Sequence, residues 1–212
     1  MKRWIALFGF ALASLAASAQ AAQAHIVSVR LGDFYSGALH PLTDLQDAIL
    51  WIALGLLAGA VGSVERRWLV MIFPAGLLIG LAWGAPIGPT LTGPLTAAAT
   101  IVVLGLLLAA NLRIPAILLW LAAFGIAVAR GAANASDLTP DTNLLLFAAG
   151  LACAGYVLIT LTMAITLAFR QTDTEPSIGW RVVTVRTLGG WLAAIGIMAM
   201  GVQIYAPQLS VG

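Results

Sequence analysis

The sequence predicts an all-α integral membrane protein, a bundle of six transmembrane helices behind an N-terminal signal peptide. Two observations carry this. Mean hydropathy is +1.02, and only 8% of the 212 residues are charged while 61% are apolar; soluble domains carry about 25% charged residues. The apolar residues also fall into six continuous runs rather than alternating, which fits spanning helices and not barrel strands. A net charge of +2 is too small to point to nucleic acid, and the basic excess is better placed in loops that set topology.

Taken in order, Lys2 and Arg3 form a basic head and residues 4–17 an apolar stretch. Ala17-Ser18-Ala19 and Ala22-Gln23-Ala24 both fit a small-x-small cleavage pattern. We assign residues 1–24 to the signal peptide, with an uncleaved anchor as the alternative. Cleavage after Ala24 makes His25 the first mature residue, whose amine and imidazole together chelate nickel or copper well; cleavage after Ala19 does not. Residues 25–44 are the only moderately polar stretch before the membrane and read as a periplasmic lead-in. Residues 45–212 form the membrane domain, with apolar runs at 45–62, 68–83, 91–110, 114–129, 144–169 and 188–206. Each is close to the ~20 residues that cross a bilayer core.

Charge placement tests this layout. With the mature N-terminus outside, the inner loops hold Glu65, Arg66, Arg67, Arg113, Arg170, Arg181 and Arg186. The outer loops hold only Arg30 and Arg130, with Asp33, Asp44, Asp137 and Asp141. That asymmetry obeys the positive-inside rule and fits the expected location, the inner (cytoplasmic) membrane of a bacterium with the mature N-terminus periplasmic. Gly55 and Gly59, and Gly76, Gly80 and Gly84, recur at a spacing of four, which lets helix backbones approach closely. Pro74 is expected to kink the second span. The lone Cys153 permits no disulfide within the chain and reads as a small buried hydrophobe.

Chemistry is concentrated in the run Gly37-Ala-Leu-His40-Pro41-Leu-Thr-Asp44-Leu-Gln-Asp47. Pro41 suits the first position of a helix, with His40 just outside it. Asp44 and Asp47, three apart, share a face. One imidazole and two carboxylates suit a borderline divalent ion such as nickel, cobalt or zinc. Acidic residues in a first turn are also favoured by the helix dipole with no ligand at all. Arg130 closes the fourth run and Asn134 follows it; both are candidates for a transport path, although an arginine at a span end by default snorkels to the headgroups. Tyr156, Thr160, Thr162 and Thr166 dot the fifth run; hydroxyls in membrane helices usually bond their own backbone or a neighbour, and Gln203 in the sixth run is as weak a sign of a substrate contact. No nucleophile triad, phosphate loop or haem motif is present, so no enzyme is expected.

On these residues the chain resembles the HupE/UreJ family of small membrane proteins, regarded as nickel or cobalt permeases. The similar features are the leader ending near Ala24-His25, the opening Gly37-Ala-Leu-His40-Pro41, the run Ala48 through Gly55 to Ala58, the segment around Gly105, and the six-span layout. The resemblance implies a divalent metal as transported substrate and no other cofactor, with His40 the one family ligand kept and Asp47 a substitute; Asp44 and His25 join them as metal candidates on the reading of the residues themselves. The motifs depart from the family pattern. His-Pro-x-x-Gly-x-Asp-His becomes His40-Pro41-Leu42-Thr43-Asp44-Leu45-Gln46-Asp47. His-Gly-x-Ala-His-Gly becomes Arg130-Gly131-Ala132-Ala133-Asn134-Ala135, which puts a positive charge where the family has a ligand and opposes cation passage. Two functions therefore compete: a re-tuned metal permease, and a non-transporting accessory subunit of a larger membrane complex that keeps the fold. Beyond the lipid bilayer, a homo-oligomer and such a complex are the partners to consider.

Overall fold

A computed structural model describes residues 32–61, 67–84, 93–112, 114–136, 138–171 and 179–209. The leader, both cleavage points, His25, Arg30, Glu65, Arg66, Arg113 and Asp137 lie outside these residues. The described residues form seven α-helices and no strand: α1 Asp33–Thr43, α2 Leu45–Val61, α3 Leu69–Ala82, α4 Pro94–Ala110, α5 Ala116–Ala135, α6 Leu144–Gln171 and α7 Trp180–Leu209. By length and composition α5, α6 and α7 can each cross a membrane, and α1 with α2 qualifies as one segment bent by 78°. Helices α3 and α4 are shorter, at 14 and 17 residues. At 1.5 Å per residue they cover about 21 and 26 Å of a bilayer core of roughly 30 Å. The helix of the last run starts at Trp180, eight residues before the expected 188.

The first helix corrects the sequence reading. His40 and Pro41 do not stand at a helix start but lie inside α1, near its end. Helix α1 extends back to Asp33 because it docks on α6. Its Gly37 packs against the Phe147 carbonyl, and Gly150 of α6 against that of Phe34. Asp33 Oδ2 accepts a hydrogen bond from the Asn143 backbone N–H at 2.8 Å. The helix-start signal belongs to Asp44, whose extended backbone separates α1 from α2. Its Oδ1 accepts the N–H groups of Gln46 at 2.9 Å and Asp47 at 3.4 Å, satisfying donors that a new helix leaves free.

Glycine contacts set the helix pairs. Gly55 and Gly59 of α2 meet Thr162 and Thr166 of α6, so these two helices run parallel. Gly76, Gly80 and Gly84, four residues apart, face Ala127, Val128 and Ala135, which makes α3 and α5 parallel. Gly105 lies against Gly189 and Ala193 while Gly196 lies against Ala98, so α4 and α7 are antiparallel. Gln46 reaches the Pro94 carbonyl at one end, and Leu57 and Leu104 share a pocket further along; α2 and α4 are parallel. Directions therefore alternate from α2 to α7. Pro74 sits within α3, and the helix continues through it.

The core is built on Trp51 and Phe73, packed edge to face with centroids 5.3 Å apart. Leu50, Leu54, Leu77, Leu151 and Ile159 surround them, all fully buried. The outward faces are apolar too: Leu118, Leu121, Leu145, Val157, Leu161, Ile165 and Met198 are exposed. A helix bundle apolar both inside and out needs lipid as its solvent. Cys153, expected in the core, is exposed on α6. The buried stripe of α6 runs through Gly150, Leu151, Gly155, Ile159 and Met163, and Cys153 is off it.

The glycine contacts generate a prediction. A Cβ at Gly80 would strike the Val128 carbonyl, whereas one at Gly125 meets nothing within 4 Å. Gly80→Leu is expected to cost about 2–3 kcal/mol or more, as overpacking does, and Gly125→Leu close to nothing. Thermal melting of the detergent-solubilised variants checks this.

Candidate functional site

Polar side chains meet where α1, α2 and α5 come together. Asp47, one turn into α2, has 0% exposure, and Arg130, one turn before the end of α5, has 7%. Arg130 Nε donates to Asp47 Oδ1. Its second terminal nitrogen, Nη2, donates to Asp44 Oδ2 at 3.1 Å. Asp44 is thus shared: one oxygen caps α2 and the other holds the guanidinium. The fork of a guanidinium suits this bridging, because its N–H groups diverge in one plane.

Arg130 therefore does not snorkel. Its side chain turns inward because a buried carboxylate offers what the headgroups would otherwise supply, at a depth where an unpaired charge is expensive. The helix pair antiparallel across this contact, α2 and α5, has little other packing between them. Asp47 and Arg130 are 83 residues apart in sequence, so neither periodicity nor motif spacing links them. One signal does: each run is apolar except for one deep charge, and the charges are opposite in sign.

Further buried polar atoms on the same helices lack a hydrogen-bond partner. Asp47 Oδ2 has no hydrogen-bond partner, and neither has Asn134 Nδ2, one turn beyond Arg130 with its residue only 1% exposed. Trp51 Nε1, one turn beyond Asp47, is also unpartnered. Such groups are rare in a settled interior and call for water or a ligand. Beside Arg130 is a cavity of about 30 Å³ lined by Leu50, Thr96, Ala97, Thr100, Ile126 and Ala129. That is room for a water or two. Further along the same cleft, between α4 and α5 over α2, an apolar pocket of about 460 Å³ is lined by leucines, Leu57 and Leu104 among them.

His40 is half-buried in α1, its ring 6.0 Å from that of Phe147 and within electrostatic range of Asp47. His40, Asp44 and Asp47 do not converge as a ligand triad. Among the described residues no group of three His, Cys, Asp or Glu side chains is placed to hold a metal ion, and both carboxylates turn to Arg130. On the fifth run's helix, Thr162 and Thr166 hydroxyls bond the carbonyls four residues back, each at 2.7 Å, as hydroxyls in apolar helices do. Thr160 Oγ1 is buried without a hydrogen-bond partner. Tyr156 faces outward, and Gln203 is half-buried. At the opposite end of the bundle Arg181 lies 5.4 Å from the ring centres of both Phe169 and Trp180 and donates to the Phe169 carbonyl at 3.1 Å.

The ion pair sets a stability prediction. Asp47→Ala or Arg130→Ala alone strands a buried charge and is expected to cost about 3–5 kcal/mol. Replacing both with apolar residues, as in D47L/R130M, is expected to cost much less than the sum of the two single changes. Reversible unfolding in mixed detergents, run as a double-mutant cycle, measures the coupling.

No curated protein and no solved structure matches the chain. A protein-family model described as HupE / UreJ protein matches residues 12–199, a span that includes every described residue of the ion cluster. The chain belongs to the HupE/UreJ family.

Proposed function

We propose that this chain is a permease for a divalent cation of the nickel and cobalt class, not an enzyme. The carrying observation is Asp47: a fully buried carboxylate with one unpartnered oxygen, in the interior of a lipid-facing helix bundle. Ionisable residues at such depth are expensive and mark ion pathways. The family's association with nickel and cobalt uptake supplies the class of cargo. Carboxylate oxygens with an imidazole nearby suit a borderline divalent ion. The cation enters at the corner of α1 and α2, past His40 and Asp44, and reaches Asp47; Arg130 and Asn134 line the next step. A mature N-terminus beginning at His25 adds a chelating group at the entrance.

Helix directions alternate from α2 to α7, which supports six crossing segments with α1 and α2 as the bent first one. Charge supports the orientation. Among the described residues Asp33, Asp44, Asp47 and Asp141 are at one end of the bundle and Arg67, Arg170, Arg181 and Arg186 at the other. Arginine-rich ends face the cytoplasm, so the ion cluster opens toward the periplasm of a cytoplasmic membrane.

A second reading has its own observation. Arg130 already engages both carboxylates, which suits a structural clamp in a non-transporting accessory subunit of a larger membrane complex. Uptake separates the two. Proteoliposomes of the wild-type protein are expected to take up nickel or cobalt saturably, and Asp47→Asn to lower the rate at least tenfold. Absence of wild-type uptake, with the protein co-purifying in a larger assembly from native membrane, would select the accessory subunit.

A further inference from the structure

We propose that Arg130 is a resident counter-cation: its guanidinium fills the position between the Asp44 and Asp47 carboxylates that a free cation takes, and cation binding at this corner requires its withdrawal. The inference rests on the permease reading for its physiological meaning, but it concerns binding alone. The geometry is that of a tethered ligand. One guanidinium nitrogen faces Asp47 Oδ1 and another faces Asp44 Oδ2 at 3.1 Å, so a single cationic group bridges two acidic side chains from two sides, as a bound ion does. Charge adds to this. The two carboxylates carry two negative charges, and the guanidinium cancels one. Withdrawn, it leaves a pair whose charge a divalent ion neutralises.

The surroundings permit the exchange. Asp47 Oδ2 is buried and unpartnered, so an incoming cation has a lone oxygen to meet before the guanidinium leaves. A small cavity edged by Thr96 and Thr100 lies beside the guanidinium, with room for a water that an arginine displaced from the carboxylates can hydrogen-bond. The Thr100 hydroxyl donates to the Thr96 carbonyl at 2.7 Å, so its oxygen keeps a lone pair for an arginine N–H. Arg130 thus holds the affinity of the resting site down and limits occupancy to cations that bind the carboxylate pair better than a tethered guanidinium does.

The test uses purified full-length protein with two probes, nickel(II) and methylguanidinium. R130A is expected to bind one nickel ion at least tenfold more tightly than the wild type, with the gain lost in D47N/R130A. Millimolar methylguanidinium is expected to raise the melting temperature of R130A, not that of the wild type, and to compete with nickel. If R130A unfolds on extraction, R130Q fills most of the arginine's volume and carries the same comparison. Folded R130A or R130Q that binds nickel no better than the wild type overturns the proposal, as does a gain that persists in D47N/R130A. The permease reading fails separately: a gain in R130A with no nickel uptake by the wild type keeps the counter-cation and removes the permease. Uptake by the wild type with no gain in R130A does the reverse.

Discussion

A buried carboxylate inside a lipid-facing bundle has to be compensated, and the pairing of Asp47 with Arg130 is how this chain does it. Desolvating either charge alone costs several kcal/mol, a cost that mutual attraction offsets only when geometry and further hydrogen bonds are good. The geometry here is good because Asp44 has two tasks. Its backbone breaks the chain between α1 and α2, its Oδ1 caps α2, and its Oδ2 fixes the far side of the guanidinium. The corner of the fold and the charge cluster are therefore one structure. Loosening the corner would open the cluster, and withdrawing Arg130 would release Asp44.

Close helix approach puts the cluster where it is. Lipid tails are as apolar as leucine, so packing between helices in a bilayer comes from backbone proximity at small residues. Gly37 and Gly150 bring α1 down on α6, and the row from Gly76 to Gly84 locks α5 to α3. Helices α1 and α5 are held by other partners and presented to α2 from two sides. Since α2 and α5 share little other packing, the ion contact is free to open without the scaffold coming apart. The cleft between α4 and α5, with its small cavity near Arg130 and its larger apolar pocket beyond, follows from the same division. Helix α4 is committed to α7 through Gly105, Gly189 and Gly196.

Much of the fold was legible from residues 45 onward. Continuous apolar runs mark helices whatever they pack on, and four of the six runs match α2, α3, α4 and α6 closely; α5 runs on to Ala135 and takes in Arg130 and Asn134, expected at its end and in the loop beyond. The glycine rows announced their own contacts. What failed did so for local reasons. His40-Pro41 resembles a helix start, but docking on α6 outweighs the weak preference of one proline, and α1 extends back over the stretch read as a lead-in. Cys153 looked like core because the whole of α6 is apolar, and in such a helix the buried face is set by partners and not by pattern. The site was half legible. Asp44, Asp47, Arg130 and Asn134 all stood out as polar residues in apolar surroundings, and the structure brings the first three together. That Arg130 turns inward is a consequence of a contact across 83 residues, which no local rule reports.

The most direct test of the account is the contact itself, in a bilayer. Magic-angle-spinning NMR of protein labelled at arginine nitrogen and aspartate carboxyl carbon reads the dipolar coupling between Arg130 Nε and Asp47 Cγ, with R130K for assignment. Strong coupling without metal, lost on addition of nickel, is the predicted result. A spectrum with no Arg130–Asp47 coupling in the metal-free protein would contradict the buried pair and everything built on it.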